Sequence, residues 1–356
     1  MKIALVTDAW RPQVNGVVTT LVALTEGLAA RGHVVEVIEP SGFRRMPCPG
    51  YREIELSLWP RAQVARRLAA CGADAIHIAT EGPLGGAARR WCRQQGVPFT
   101  TAFHTRFPEI LARAIHVPER WGYAAFRRFH AASAGVMVPT EGMRRILAGH
   151  GFNRLRPWTH GVDLALFRPI PDADLGLPRP VWLHVGRISY EKNLEEFLRL
   201  PLPGSKVVYG TGPLLVAYQR KYRDVHWRGV VPRSELPHIY SAADCFVFPG
   251  RSETFGLVML EALACGTPVA AYPVAGPLDV IGNSPAGVLD DDLQRAAQRA
   301  LRVPREAARS RAQAFGWDEV CEQFLAHLVR LAPVQAHGRV VLADELERHE
   351  NVTRVS

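Results

Sequence analysis

No apolar run in this 356-residue chain approaches the roughly 18 consecutive residues of a membrane-spanning helix. An export signal is lacking as well. Met1-Lys2-Ile3-Ala4-Leu5-Val6-Thr7-Asp8 turns polar too soon for one and reads as a buried first strand. The six cysteines, at positions 48, 71, 92, 245, 265 and 321, form no C-x-x-C pair and sit mostly in apolar settings, so they are expected to be reduced structural thiols. The sequon Asn351-Val352-Thr353 therefore reads as chance. These absences point to the cytoplasm, with the inner face of the cell membrane as the peripheral alternative. Acidic residues are scarce in the first half. Residues 1–160 hold 21 Lys and Arg against 11 Asp and Glu, whereas the remainder holds 22 against 23. The excess is arginine, as in Arg66-Arg67, Arg89-Arg90, Arg127-Arg128 and Arg144-Arg145. Aromatic interleaving and nucleic-acid motifs do not accompany it, which disfavours nucleic acid as a partner. Solvated helix faces, or an attraction for anionic lipid headgroups or an acidic acceptor, account for it.

What is present is an α/β rhythm. In the first half short apolar runs near 2–7, 33–39, 74–79, 97–103 and 134–138 alternate with helical patterns such as Val17 to Arg31 and Leu84 to Gln95. The rhythm breaks at Trp158 to Pro169 and in the prolines that follow, then restarts with 181–186, 206–209, 225–228, 244–248 and 268–272. Two parallel-sheet halves imply two domains facing each other across a cleft at the sheets' C-terminal edges, where ligands bind in such folds. The expected division is 1–165, 166–314, a helix at 315–332 that crosses back to the first domain, and a polar tail at 333–356 with no assigned role.

The most informative stretch is Arg251-Ser252-Glu253-Thr254-Phe255-Gly256-Leu257-Val258-Met259-Leu260-Glu261. Glu253 is expected at or just before a helix N-terminus, with Glu261 about two turns, or ~12 Å, further on. Free amides from Thr254 to Val258 would form the positive end of the helix dipole and an anion site. A diphosphate between two sugars fits that layout. The strand ending in Gly186-Arg187 leads to Glu191-Lys192-Asn193, and Arg187 and Lys192 could neutralise such a diphosphate; by itself the loop reads as a surface turn with a Glu191 salt bridge. Gly210-Thr211-Gly212 ends the next strand, where glycine would let a nucleotide approach the backbone, and the strand end near Val230 would meet a base. In the first half Asn15-Gly16-Val17 opens a helix, either as an ordinary turn or as a lip at the diphosphate. His104 ends a strand at the cleft edge. Glu81 is equally an N-terminal cap or a ligand.

With these motifs in this order, residues 1 to about 330 resemble the retaining GT-B glycosyltransferases of the large family that holds the bacterial GDP-mannose-dependent lipid α-mannosyltransferases and plant sulfolipid synthase. Cys265-Gly266-Thr267-Pro268-Val269 and Gly161-Val162-Asp163…Phe167-Arg168-Pro169 add to the match. The resemblance implies a GT-B fold with the active site between two Rossmann-like domains. It implies that Glu261 binds the donor ribose, and that Glu253 binds the transferred sugar and steadies its developing positive charge. Thr254, Phe255, Gly256, Leu257 and Val258 would offer amides. Arg187 and Lys192 would hold the leaving diphosphate. Gly16 would let the opposite lip approach, and His104 would touch the sugar near the reacting carbon. Gly186, Gly210, Gly212 and Val230 join the donor side, and Asn15, Glu81 and Arg106 the acceptor side. Neither metal nor cofactor is implied, because two cations and a helix dipole carry the charge. The stretches Thr80 to Gly85 and Phe103 to Glu109 resemble the subgroup acting on lipid acceptors. The expected reaction is transfer of a hexose, foremost mannose from GDP-mannose, to a membrane glycolipid or phospholipid. The alternatives are a UDP-sugar enzyme with a soluble or polysaccharide acceptor, or an epimerase or hydrolase on the same fold. Three departures stand out: Gly250 where relatives usually carry Ser, His160 before Gly161-Val162-Asp163, and a short 198–206 segment.

Overall fold

The structure is a computed structural model that describes residues 1–13, 15–48, 51–109, 112 and 117–331. The tail expected from 333 on, with its sequon, lies outside the described residues.

The first domain is built on a six-stranded sheet in the order β2-β1-β5-β6-β7-β8, with every neighbouring pair parallel. Its strands are β1 (Lys2–Val6), β2 (Val34–Ile38), β5 (Ala75–Ile78), β6 (Thr100–Ala102), β7 (Gly135–Val138) and β8 (Leu155–Pro157). The inner strands β5, β6 and β7 are buried throughout, since helices cover each side of a parallel sheet. The antiparallel hairpin β3 (Arg45–Cys48) and β4 (Tyr51–Ser57) inserts between β2 and β5. The sequence rhythm did not announce it, and Pro47 hides one arm. The edge strand β8 was likewise missed, being too short to show alternation.

The second sheet runs β11-β10-β9-β12-β13-β14, again all parallel. Its members are β9 (Val181–Val185), β10 (Ser205–Tyr209), β11 (His226–Gly229), β12 (Cys245–Phe248), β13 (Val269–Ala271) and β14 (Gly287–Leu289). All five residues of β9 are buried, as befits the central strand. In both sheets the chain reverses its direction of growth beside the first strand, β1 or β9, and that is where a crevice opens at the C-terminal edge.

Two segments run side by side between the halves. Val162 bridges Gly316, and its amide donates to Phe315 O at 3.0 Å. Beyond them the helix Trp317–His327 buries Val320, Cys321 and Phe324 with Leu24 and Leu28 of the helix Gly16–Ala30 and with Trp158. Trp158 Nε1 donates to Val320 O at 3.1 Å, and Leu331 N to Asp74 O at 2.8 Å. The helix Trp317–His327, the last among the described residues, is thus part of the first domain's core. Cys71, Cys92, Cys245, Cys265 and Cys321 are buried free thiols, and burial raises Cys92 and Cys265 to about 12, where they stay protonated.

Candidate active site

The helix after β12 spans Leu257–Ala264 and starts later than the sequence suggested. Gly256 has φ +94°, a left-handed conformation that ends any helical run before it, so the first helical amides belong to Leu257 and Val258. Glu253, Thr254 and Phe255 sit in the preceding loop. Glu261 is four residues inside the helix, about 6 Å of rise rather than ~12 Å.

Lys192, in the short turn Tyr190–Lys192 beyond β9, forms an ion pair with Glu253, and both are partly buried. Glu191, in the same turn, accepts from Ser189 Oγ at 2.6 Å. Asn193 Nδ2 donates to Pro249 O at 3.2 Å and ties the Lys192 turn to the Glu253 loop. Arg187 is half-buried and lies between β9 and that turn. Gly250 matters to this packing, because a Cβ there would stand 3.3 Å from Glu253 Cγ.

Glu261 is buried, with 6% of its surface exposed. Its Oε2 accepts from Tyr240 Oη at 3.1 Å, and its Oε1 lies 3.2 Å from Arg233 Nη2. Burial raises its pKa, while Arg233 and then Tyr240 oppose the rise. Neither partner was singled out by the sequence. Each stands more than 20 positions from Glu261, and no local pattern links them.

Gly210 and Gly212 have a structural cause that the sequence reading did not foresee. A Cβ on Gly210 would lie 1.9 Å from Gly186 O, and one on Gly212 2.3 Å from Ile188 O. The turn after β10 is pressed against the turn after β9, and only glycine permits it. Val230, beyond β11, is 67% exposed.

Across the cleft, Gly16 begins its helix, and a Cβ there would be in ordinary contact with Leu257 Cδ1 at 3.5 Å. The two helix N-termini therefore meet. Asn15 Oδ1 accepts from Val18 N at 3.0 Å, so Asn15 caps that helix. His104 follows β6 and is buried, stacked on His160 at 5.5 Å and edge-on to Trp158 at 5.6 Å. Burial first, then His160 and His77, hold its imidazole neutral, and its Nε2 has no hydrogen-bond partner among the described residues. His160, the departure before Gly161, packs against Phe255 at 5.0 Å. Thr254 Oγ1 donates to His104 O at 2.8 Å, and Thr140 Oγ1 donates to Thr254 O at 3.3 Å. The Glu253 loop is thereby seated on the first domain.

The remaining candidates on this side are engaged nearby. Glu81 is not the cap of helix Pro83–Gln95. Its Oε1 lies 3.1 Å from His130 Nε2, and His130 Nδ1 lies 2.9 Å from Thr101 Oγ1. The capping is done by Asp8, which accepts from Leu84 N at 2.8 Å and Gly85 N at 3.3 Å. Asp8 lies more than 70 positions upstream, so nothing local could have revealed it. Burial raises Asp8 to about 6 against these hydrogen bonds. Arg106 pairs with Glu109, which also accepts from Tyr123 Oη at 2.9 Å.

Residues 14–166 match Glycosyltransferase Family 4, and residues 179–305 match Glycosyl transferases group 1. The chain is 28% identical over 363 residues to a GDP-mannose-dependent alpha-mannosyltransferase of Mycobacterium tuberculosis, covering 92% of this chain and 96% of the relative. It is 30% identical over 286 residues to a sulfoquinovosyl transferase of Arabidopsis thaliana, covering 75% of this chain and 55% of that one. The chain belongs to the family 4 glycosyltransferases. Its fold is GT-B: a sucrose-phosphate synthase of Thermosynechococcus elongatus superposes with a TM-score of 0.73 at 25% identity, covering 91% of this chain and 97% of the other. Anabaena HepE, solved with UDP and glucose, superposes at 0.66 and 14% identity over 92% and 98% of the two chains.

In this glycosyltransferase the Lys192–Glu253 pair, the Thr254 contact to His104 O and the approach of Gly16 to Leu257 lie together where the two domains meet, and Glu261 lies on the helix that starts there. Among the described residues no group of three His, Cys, Asp or Glu could hold a metal ion.

Proposed function

We propose that this chain is a configuration-retaining hexosyltransferase that moves mannose from GDP-mannose, ahead of any UDP-hexose, to a hydroxyl of a membrane glycolipid or phospholipid. The observation that carries the reading is the Lys192–Glu253 pair in the cleft-facing loops, with Glu261 on the helix that follows. The donor choice is supported by the names of the relatives, several of which are GDP-mannose-dependent alpha-mannosyltransferases. The lipid acceptor is supported by a relative named alpha-monoglucosyldiacylglycerol synthase, 28% identical over 345 residues.

In this reading the diphosphate lies against Lys192, Arg187 and the amides of Leu257 and Val258, so the charge is met by protein groups. A phosphate beside Lys192 draws the ammonium away from Glu253, whose carboxylate then takes the sugar hydroxyls. Glu261 takes the ribose. The bond from the anomeric carbon to the phosphate oxygen breaks, and a bond to the acceptor oxygen forms on the same face. The acceptor's proton passes to the leaving phosphate. His104, neutral and aimed from the first domain, touches the sugar near the reacting carbon. Val230 borders the base.

The acceptor surface belongs to the first domain. A cavity of about 1080 Å³ there is lined by Trp59, Arg61, Arg89, Arg90 and Arg93 among others, and Trp59 is 81% exposed. Arg89 is held by the carbonyls of Phe129 and Arg128 at 2.7 and 2.8 Å, while Arg61, Arg90 and Arg93 are exposed. Cations flanking an exposed indole suit an anionic lipid surface, so the enzyme would work on the inner face of the membrane.

The test supplies purified protein with GDP-mannose or a UDP-hexose and lipid, and follows the product's anomeric configuration by NMR. An α-mannosyl lipid is expected from GDP-mannose. Glu253→Gln and Lys192→Ala should each lower transfer by ~10²-fold or more with the fold intact. Near-normal rates in both variants would remove the site assignment. Donor turnover without lipid would mark a hydrolase or epimerase, and a β product would overturn retention.

A further inference from the structure

We propose that Arg233 and Tyr240 are positioning residues that aim the Glu261 carboxylate at the vicinal diol of the donor ribose. The inference rests on the reading that Glu261 binds that ribose. Three separate segments converge on this carboxylate. Arg233 comes from the turn Arg233–Glu235 after β11, Tyr240 from the helix Leu236–Ala242, and Glu261 from the helix Leu257–Ala264. The contacts divide evenly, with Arg233 at Oε1 and Tyr240 at Oε2. A carboxylate oxygen can accept about two hydrogen bonds, so one position stays available on each oxygen. Two adjacent acceptor positions are what two adjacent hydroxyls need.

Both partners are themselves fixed. Tyr240 is fully buried, and its hydroxyl proton is committed to Glu261. The Arg233 guanidinium sits 4.9 Å over the ring of Phe167, which is itself fully buried. Cation–π contact leaves the guanidinium's planar N–H edge for the carboxylate. Arg233 also supplies positive charge that favours the ionised carboxylate against the burial that opposes it, and only the ionised form presents acceptors on both oxygens. Val230 lies three positions before Arg233, at the side expected for the base, which puts the ribose between the two.

A purely structural ion pair would affect stability without regard to the ligand's sugar. The experiment measures binding of GDP and UDP, and of their 2′-deoxy counterparts, to the full chain and its variants by calorimetry. The parent should prefer the ribonucleotide by ~10-fold or more, since a hydrogen bond to a charged group is involved. Glu261→Gln should abolish that preference. Arg233→Gln and Tyr240→Phe should each reduce it ~3- to 10-fold while leaving 2′-deoxy binding unchanged, and Arg233→Lys should restore part of it. In transfer assays Arg233→Gln should raise the donor KM with little change in kcat, as for uniform binding. Its acid limb of kcat/KM should move to higher pH, because loss of the neighbouring cation favours protonated Glu261. An unchanged ribose preference in Arg233→Gln and Tyr240→Phe, with the preference lost in Glu261→Gln, would overturn the positioning role alone. A preference that survives Glu261→Gln would overturn the ribose reading and this inference with it.

Discussion

His184 shows what single buried groups contribute. It lies in the central strand β9 and stacks on Phe246, with ring centroids 6.2 Å apart. Its Nδ1 lies 3.1 Å from Val247 O, and its Nε2 finds no partner among the described residues. Burial lowers its pKa to about 4, and His160 falls to about 4 for the same reason. The unfolded chain takes up protons on these rings near pH 6.5, whereas the folded chain does so only near 4. Between those values the unfolded state binds more protons, so stability falls as pH falls, and it is complete above about 6.5. A shift of this size is worth ~3 kcal/mol per imidazole at the acid end. The urea midpoint is therefore expected to drop steeply from pH 7 to pH 4, and His184→Leu should flatten the slope. An unaltered slope in that variant would show that His184 does not carry the effect.

At the level of elements, the two domains share caps. Thr140 closes the N-terminus of helix Glu141–Gly149 by accepting from Met143 N at 3.1 Å. The carboxylate of Asp279, on helix Ala275–Val280 of the second domain, accepts from Glu141 N at 3.2 Å and Gly142 N at 3.0 Å. An acidic group at a helix N-terminus meets both free amides and the dipole. Here the cap comes from the opposite side of the cleft, so it is also a closure contact beside the Thr140–Thr254–His104 chain. Asp279→Ala should cost ~0.5–2 kcal/mol of that contact. The expected result is a larger radius of gyration by solution scattering and a higher donor KM. Unchanged values of both would show that closure rests on the Thr254 contacts instead. Elements also explain what the sequence could and could not announce. The strands β1, β5, β9 and β12 are predominantly apolar runs and were legible. The strands β8 and β14 have three residues each and went unread, whereas the equally short β6 and β13 lie in the longer runs 97–103 and 268–272. The helix start at Leu257 was misread because the motif was taken as one unit, whereas the backbone at Gly256 divides it.

For the whole molecule, the arginine excess of the first half gains a location. Arg61, Arg90 and Arg93 border one cavity together with the exposed Trp59, on the domain proposed to receive the acceptor. Basic side chains near an anionic surface contribute ~1 kcal/mol each. The combined reversal of Arg61, Arg90 and Arg93 to Glu is expected to release the protein from vesicles containing anionic lipid in a sedimentation assay, while GDP binding stays intact. Equal sedimentation of the reversed protein would point to a soluble acceptor. The near-neutral charge balance of the second half fits the donor role proposed for it, in which few basic groups are needed.

The sequence by itself determined the α/β class and the two parallel sheets, and it singled out Glu253, Glu261, Arg187, Lys192 and His104 as the residues of the proposed site. Those follow from local periods and from motifs compact enough to read in one stretch. Tertiary structure alone decided that Lys192 pairs with Glu253, that Asp8 rather than Glu81 caps helix Pro83–Gln95, and that Arg233 and Tyr240 grip Glu261. It also gave Gly210 and Gly212 their packing reason. The physical cause is the same each time. A hydrogen bond or a close approach is decided by distance in space, and in a doubly wound sheet neighbours in space come from strand ends far apart along the chain.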